Sequence, residues 1–212
     1  MDTIVLLVFG ILITLIVLYY VVNGYLEGTT RILYKTDLNQ QQTVDVSSSP
    51  EYSYGMWINV KSLPTSEVTI IDRANELKLS IKNGKLILKR NNVTYEVLDY
   101  FPLQKMVYIT ITVENIIEKD KKRSFINAYI DGKMVKSYSA SYITTQATEK
   151  NKVTIGTFDA KLFGFKRWKH ALSPSAVSVE YEATNLQTIF GNYNVDISLL
   201  ENDKLMKRFS VF

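Results

Sequence analysis

The chain has 212 residues, room for one domain of ordinary size with an anchor and a tail. Its 46% hydrophobic content excludes a disordered chain, and 14 tyrosines beside many Val, Ile and Thr lean toward β structure. The absence of cysteine excludes disulfides, thiolate metal sites and cysteine nucleophiles, and a net charge of +4 is too mild for a nucleic-acid footprint.

Residues Thr3 to Val22 run without a charge, and twenty residues of helix match the hydrocarbon thickness of a bilayer. Tyr19 and Tyr20 suit an interfacial belt, and Asn23-Gly24 stops the helix. A cleaved signal peptide would need a basic start, a shorter apolar run and a small-residue cleavage site, none of which is here. The reading is therefore a retained transmembrane anchor over residues 1–26. No Lys or Arg precedes it, whereas Arg31 and Lys35 follow, which places the rest of the chain on the cytosolic side.

Residues 27–43 are polar and read as a stalk that becomes a first edge strand near Val44. From Tyr52 the period is two. Leu77, Leu79 and Ile81 alternate with polar residues, Asn83-Gly84 turns the chain, and Leu86 and Leu88 return. Val107, Ile109, Ile111 and Val113 predict a strand with one buried face. A charged loop from Glu118 to Arg123 leads to a strand over Phe125–Ile130, and Asp131-Gly132 turns it into Lys133–Tyr138. Further strands are expected at Lys152–Gly156 and Leu162–Trp168. Ser173-Pro174 is an N-cap with proline at the first helical position, predicting a short helix to about Asn185. Residues 44–185 form the predicted domain, and 186–212 a tail with a basic end.

Four segments, in order, carry a resemblance. They are Tyr54-Gly55-Met56-Trp57-Ile58-Asn59-Val60, Met106 through Val113, Ala128 through Val135, and Leu162 through Ser173. Together they resemble the laminin-G-like, concanavalin A-like jelly roll. The resemblance implies an all-β sandwich of two antiparallel sheets, with Trp57 as an inward tryptophan of the early strand. Met106 stands where that family usually has Trp. Phe163-Gly164 stands where its members often carry an acidic pair, which removes support for an acid-dependent site.

Glu180-x-Glu182 has the spacing of a carboxylate pair on a strand, but in a helix the two side chains diverge, and they read as solvated charges. The lone histidine, His170, has neither triad nor zinc partners. Asp72, Asp131 and Asp159 are too scattered for a calcium site. The reading is thus a non-enzyme without metal or cofactor. Its partner-contact candidates are the basic residues Lys119, Lys121, Lys122 and Arg123, with Lys204, Lys207 and Arg208 in the tail. The anchored, cysteine-free, Asn-, Lys- and Ile-rich chain looks like a membrane-associated minor capsid protein of a large icosahedral DNA virus. That likeness implies a structural protein linking an internal membrane to other capsid proteins. The alternative is a membrane-tethered carbohydrate-binding or adhesion module, which predicts an aromatic, polar groove on the concave sheet. Neither reading calls for nucleic acid.

Overall fold

The computed structural model describes residues 9–19, 29–38, 40–46, 49–73, 76–90, 93–118, 121–142, 152–156, 158–190, 196–201 and 204–210. Period-two alternation becomes two six-stranded antiparallel sheets. The strands of the first, in spatial order, are β1 (Thr29–Asp37), β12 (Ala160–Trp168), β3 (Tyr52–Val60), β8 (Met106–Glu118), β9 (Lys121–Ile130) and β10 (Lys133–Ser141). The second runs β2 (Gln42–Asp45), β11 (Lys152–Ile155), β4 (Val68–Arg73), β5 (Leu77–Lys82), β6 (Lys85–Arg90) and β7 (Val93–Leu98). One hydrophobic core lies between them, drawing Tyr54, Met56, Ile58, Ile109 and Ile111 from the first sheet and Ile71, Leu79, Ile81 and Leu88 from the second. This is a β-sandwich, as expected.

The Asn83-Gly84 turn adopts φ of 51° and 75°, the two left-handed residues that a tight hairpin of this twist requires. Asp131-Gly132 does the same, and Asp131 Oδ1 also accepts a hydrogen bond from the Tyr108 amide at 2.9 Å. An edge strand near Val44 appears as β2 at the border of the second sheet.

Several expectations change. The stretch read as a stalk, residues 27–43, contains β1, which pairs along β12 from Thr29↔Trp168 to Asp37↔Lys161. Polar composition there marks an outer edge of a sheet rather than a tether. The charged loop from Glu118 to Arg123 is mostly strand, since β8 ends at Glu118 and β9 begins at Lys121. The helix after Ser173 (α2, Pro174–Phe190) runs past Asn185, and the tail contains a separate hairpin, β13 (Asp196–Glu201) with β14 (Lys204–Ser210).

Trp57 does not point inward. The even-numbered residues Tyr52 to Val60 fill the core, so Trp57 faces the opposite side of the first sheet, under α2. There its ring meets Tyr108 at 5.0 Å and Tyr181 at 5.6 Å, and its indole Nε1–H donates to Thr184 Oγ1 at 3.1 Å. This second layer also explains why Tyr108, Thr110 and Thr112 are buried along with Val107 to Val113, so that β8 is covered on both faces. Gly55 is needed beneath it: a Cβ would lie 2.5 Å from the Tyr108 hydroxyl and 2.9 Å from the Trp168 ring. Helix α2 starts on Ser173, whose Oγ accepts from the Ala176 amide at 3.3 Å.

Of the expected span over residues 3–22, the described part is α1, residues 9–19; residues 1–8 and 20–28 lie outside the described residues. Among the described residues, no helix is long and apolar enough to cross a membrane. Every large side chain of α1 from Phe9 to Tyr19 is nevertheless 46% to 64% exposed, on all sides of the helix. The Thr14 hydroxyl is satisfied within the helix, its Oγ1 donating to the Gly10 carbonyl at 2.8 Å.

Candidate functional site

The register of the first sheet defines two ends of the sandwich. At one end Thr29, where β1 begins, lies in a row with Trp168, Ser53, Thr112 and Asn127. At the far end Asp37 lies in a row with Lys161, Asn59 and Met106. Strand β8 runs toward the entry end and continues six residues past Thr112, about 20 Å of extended chain. There it meets β9 in a projecting hairpin.

This hairpin carries three of the expected contact residues. Glu118 pairs with Lys121, Ile117 with Lys122 and Ile116 with Arg123. Ile116, Glu118, Lys121, Arg123 and Phe125 share the outer face and line a shallow cavity of about 330 Å³. On the other face Ile117 is 62% exposed, and Lys122 Nζ lies 5.7 Å from the Tyr142 ring. The cavity thus has an apolar floor and a two-cation rim moderated by one carboxylate, which suits an anionic group with an apolar neighbour. Lys119 lies outside the described residues. Lys204, Lys207 and Arg208 sit on β14, which pairs with β13 in a separate two-stranded sheet.

Behind the hairpin, the core at the entry end turns polar. Arg73, Glu76, Arg167, Tyr52 and Tyr54 are all buried. The Tyr52 hydroxyl donates to Glu76 Oε1 at 2.9 Å, Arg73 Nε stands 3.7 Å from Glu76 Oε2, and the Arg73 guanidinium lies 4.2 Å over the Tyr52 ring. Burial pushes the Tyr52 and Tyr54 hydroxyls up, with the Glu76 carboxylate adding to the effect at Tyr52. Burial draws the Arg167 guanidinium down from its ordinary range. This cluster went unrecognised in the sequence because Arg73 and Arg167 stand at strand ends, where a charge usually reaches water.

The far end differs. The segment between β7 and β8 is fixed there by the Phe101 amide on the Gly84 carbonyl and the Gln104 amide on the Val60 carbonyl, both 2.7 Å. It presents Tyr100, 67% exposed, beside Asp99, whose carboxylate lies 3.9 Å from Lys85 Nζ. Leu63 is exposed at the same end and reaches over Gly84. No motif marked Tyr100; only its place after the last residue of an edge strand distinguishes it.

The outward residues of β5 and β6 are Lys78, Ser80, Lys82, Lys85, Ile87 and Lys89, with no aromatic ring among them. Those two strands thus present no aromatic ring on this face. Ion pairs occupy the face instead: Glu67 holds Lys89 at 2.6 Å and Lys78 at 3.9 Å. The Lys89 hydrogen bond keeps the Glu67 carboxyl below its usual range.

The acidic pair is dispersed. Glu180 is not solvated but bound to Lys166 Nζ at 2.5 Å, while Glu182 is exposed. His170 is exposed and contributes its carbonyl to Ser53 Oγ at 3.0 Å. Asp159 is engaged by Lys61 and Ser62. Among the described residues no group of three or more His, Cys, Asp or Glu is placed to hold a metal ion.

The fold defines the chain as a jelly-roll-like β-sandwich. No family model matches the sequence, and no curated protein matches it. Solved structures do resemble it. One is the ligand-binding domain of botulinum neurotoxin serotype D in complex with N-acetylneuraminic acid (TM-score 0.58, 18% identity, covering 72% of this chain and 43% of that one). Another is the receptor-binding domain of the botulinum neurotoxin C/D mosaic serotype (TM-score 0.58, 18% identity, 78% and 45% covered). A third is the binding domain of serotype D (TM-score 0.56, 17% identity, 81% and 45% covered). This chain spans less than half the length of those chains, and at such identity the likeness is one of fold. None of the three is a virion component, so the capsid setting gains no support from them.

Proposed function

We propose that the chain is a membrane-tethered, non-catalytic binding module. The observation that carries this is α1. A helix whose large apolar side chains are all about half exposed, on every side, has no partner in the sandwich, and lipid is the solvent that accepts such a surface. Residues 3–22 provide the length for a span, and Thr14 closes its hydroxyl on the helix backbone, as lipid demands. The non-catalytic part rests on the dispersal of Glu180, Glu182 and His170.

We place ligand recognition at the far end, around Tyr100, and the ligand class we favour is a carbohydrate. The exposed Tyr100 ring offers a stacking face, and Asp99, its neighbour in sequence, offers a hydrogen-bond acceptor. The sugar-bound serotype D domain supports this reading at the level of fold only. Glycan-array binding of the full chain in detergent, with and without Tyr100→Ala, tests it. Binding to a defined sugar that falls at least tenfold in the variant supports the proposal; a blank array ends it. The second reading is a structural connector whose far end grips another protein, favoured by Leu63, which is exposed at the same end as Tyr100. The anchor's flanking charges, Arg31 and Lys35, favour a cytosolic-side domain for that role.

A further inference from the structure

The register of the first sheet brings together two features that sequence keeps far apart. Residue 29 enters the sandwich at the end toward which the β8–β9 hairpin projects. No more than nine residues, 20–28, lie between α1 and β1, and nine residues reach at most about 30 Å. The hairpin extends about 20 Å past the entry row, toward the side from which α1 is tethered. A sandwich held on so short a connection meets the bilayer with this hairpin first.

The hairpin has the chemistry for that meeting. Ile116 and Ile117 are exposed at 38% and 62%, a poor arrangement in water. Lys121, Lys122 and Arg123 stand directly across the strand pair from Glu118, Ile117 and Ile116. In sequence the segment 118–123 carries four basic residues against Glu118 and Asp120, a net positive charge, and exposed Lys169 follows Trp168 at the same end. Glu114, the other exposed acid on β8, lies further back, opposite Phe125.

We propose that the β8–β9 hairpin is the foot of the sandwich on its own membrane. Ile116 and Ile117 enter the headgroup layer, and Lys121, Lys122 and Arg123 engage anionic headgroups, the cavity beside Phe125 receiving a phosphate-bearing one. This rests on the tether proposed above and names the partner of the entry end, leaving the far end turned outward.

The test exploits the absence of native cysteine. The full chain with Ile117→Cys takes one environment-sensitive fluorophore and is reconstituted in phosphatidylcholine vesicles, with or without phosphatidylserine. A concentrated-salt wash scores the tether separately, because an inserted helix survives it and a purely electrostatic contact does not. The expected result is a washed chain whose label shifts to the blue in phosphatidylserine vesicles. Nitroxide-headgroup lipid should quench that label at least threefold more than in phosphatidylcholine alone. Reversing Lys121, Lys122 and Arg123 to Glu should abolish the difference while thermal unfolding stays cooperative. A chain that survives the wash with its label in water in both vesicles overturns the foot and leaves the tether standing. A chain that washes off overturns both. A label shielded by a soluble acidic polypeptide, but not by lipid, assigns the hairpin to a protein partner and likewise overturns the proposal.

Discussion

Glu76 is buried at the entry end of the core with Arg73 and Arg167, and it is the one buried carboxylate among the described residues. Removing that charge in place, as in Glu76→Gln, leaves both cations without it in a low-dielectric setting. The expected cost is about 3–5 kcal/mol of unfolding free energy, read as a drop in the urea midpoint. Glu67→Gln offers the contrast. Its carboxylate is partly exposed against Lys89 and Lys78, so its loss should cost less than about 1 kcal/mol. If the two variants behave alike, the buried cluster is not electrostatically tight. Sequence alone did not separate these two glutamates, because each sits next to a strand and near a basic residue. What separates them is which sheet face each one meets.

At the level of elements, α2 is held on the first sheet by a small set of inward positions: Val177, Glu180, Tyr181 and Thr184, spaced at three and four residues. Thr184→Val preserves the shape and leaves the Trp57 Nε1–H buried without its acceptor. The expected loss is about 1–3 kcal/mol, with a shift in Trp57 fluorescence as the helix loosens. An unchanged midpoint would mean that the helix is held by the aromatic contacts alone. The hairpins β5–β6 and β9–β10 were legible because Asn83-Gly84 and Asp131-Gly132 impose one turn geometry each. Two other strands were not. In β4 the register shifts between Thr69 and Ile71, so Ile70 and Ile71 are both buried and the alternation is broken. In β7, an edge strand, Val93 is exposed and Val97 buried, which leaves too weak a pattern to read. Trp57 lies on the face opposite to the expected one for a related reason: with α2 covering the outer surface, hydrophobicity on β3 and β8 does not tell inside from outside.

For the whole molecule, buried tyrosines set the alkaline limit. Burial raises the hydroxyls of Tyr52, Tyr54 and Tyr108 above the ordinary value of 10.0, with Glu76 and Glu180 adding to the first and the last. Unfolded chains release these protons near pH 10 while the folded state keeps them. Stability is therefore intact below that pH and falls above it, by up to about 1.4 kcal/mol per pH unit for each tyrosine. Cooperative unfolding should accompany a steep rise in absorbance at 295 nm. A shallow titration of all 14 tyrosines with circular dichroism unchanged would contradict this.

The same scale holds the functional account, a sandwich whose entry end rests on the bilayer that holds α1 while Tyr100 faces away. Neutron reflectometry of the full chain in a supported bilayer containing phosphatidylserine measures that arrangement directly. The account predicts a protein layer one sandwich deep that begins within the headgroups of one leaflet and survives a salt rinse. A water layer between headgroups and protein, or a protein layer that rinses away, would contradict it.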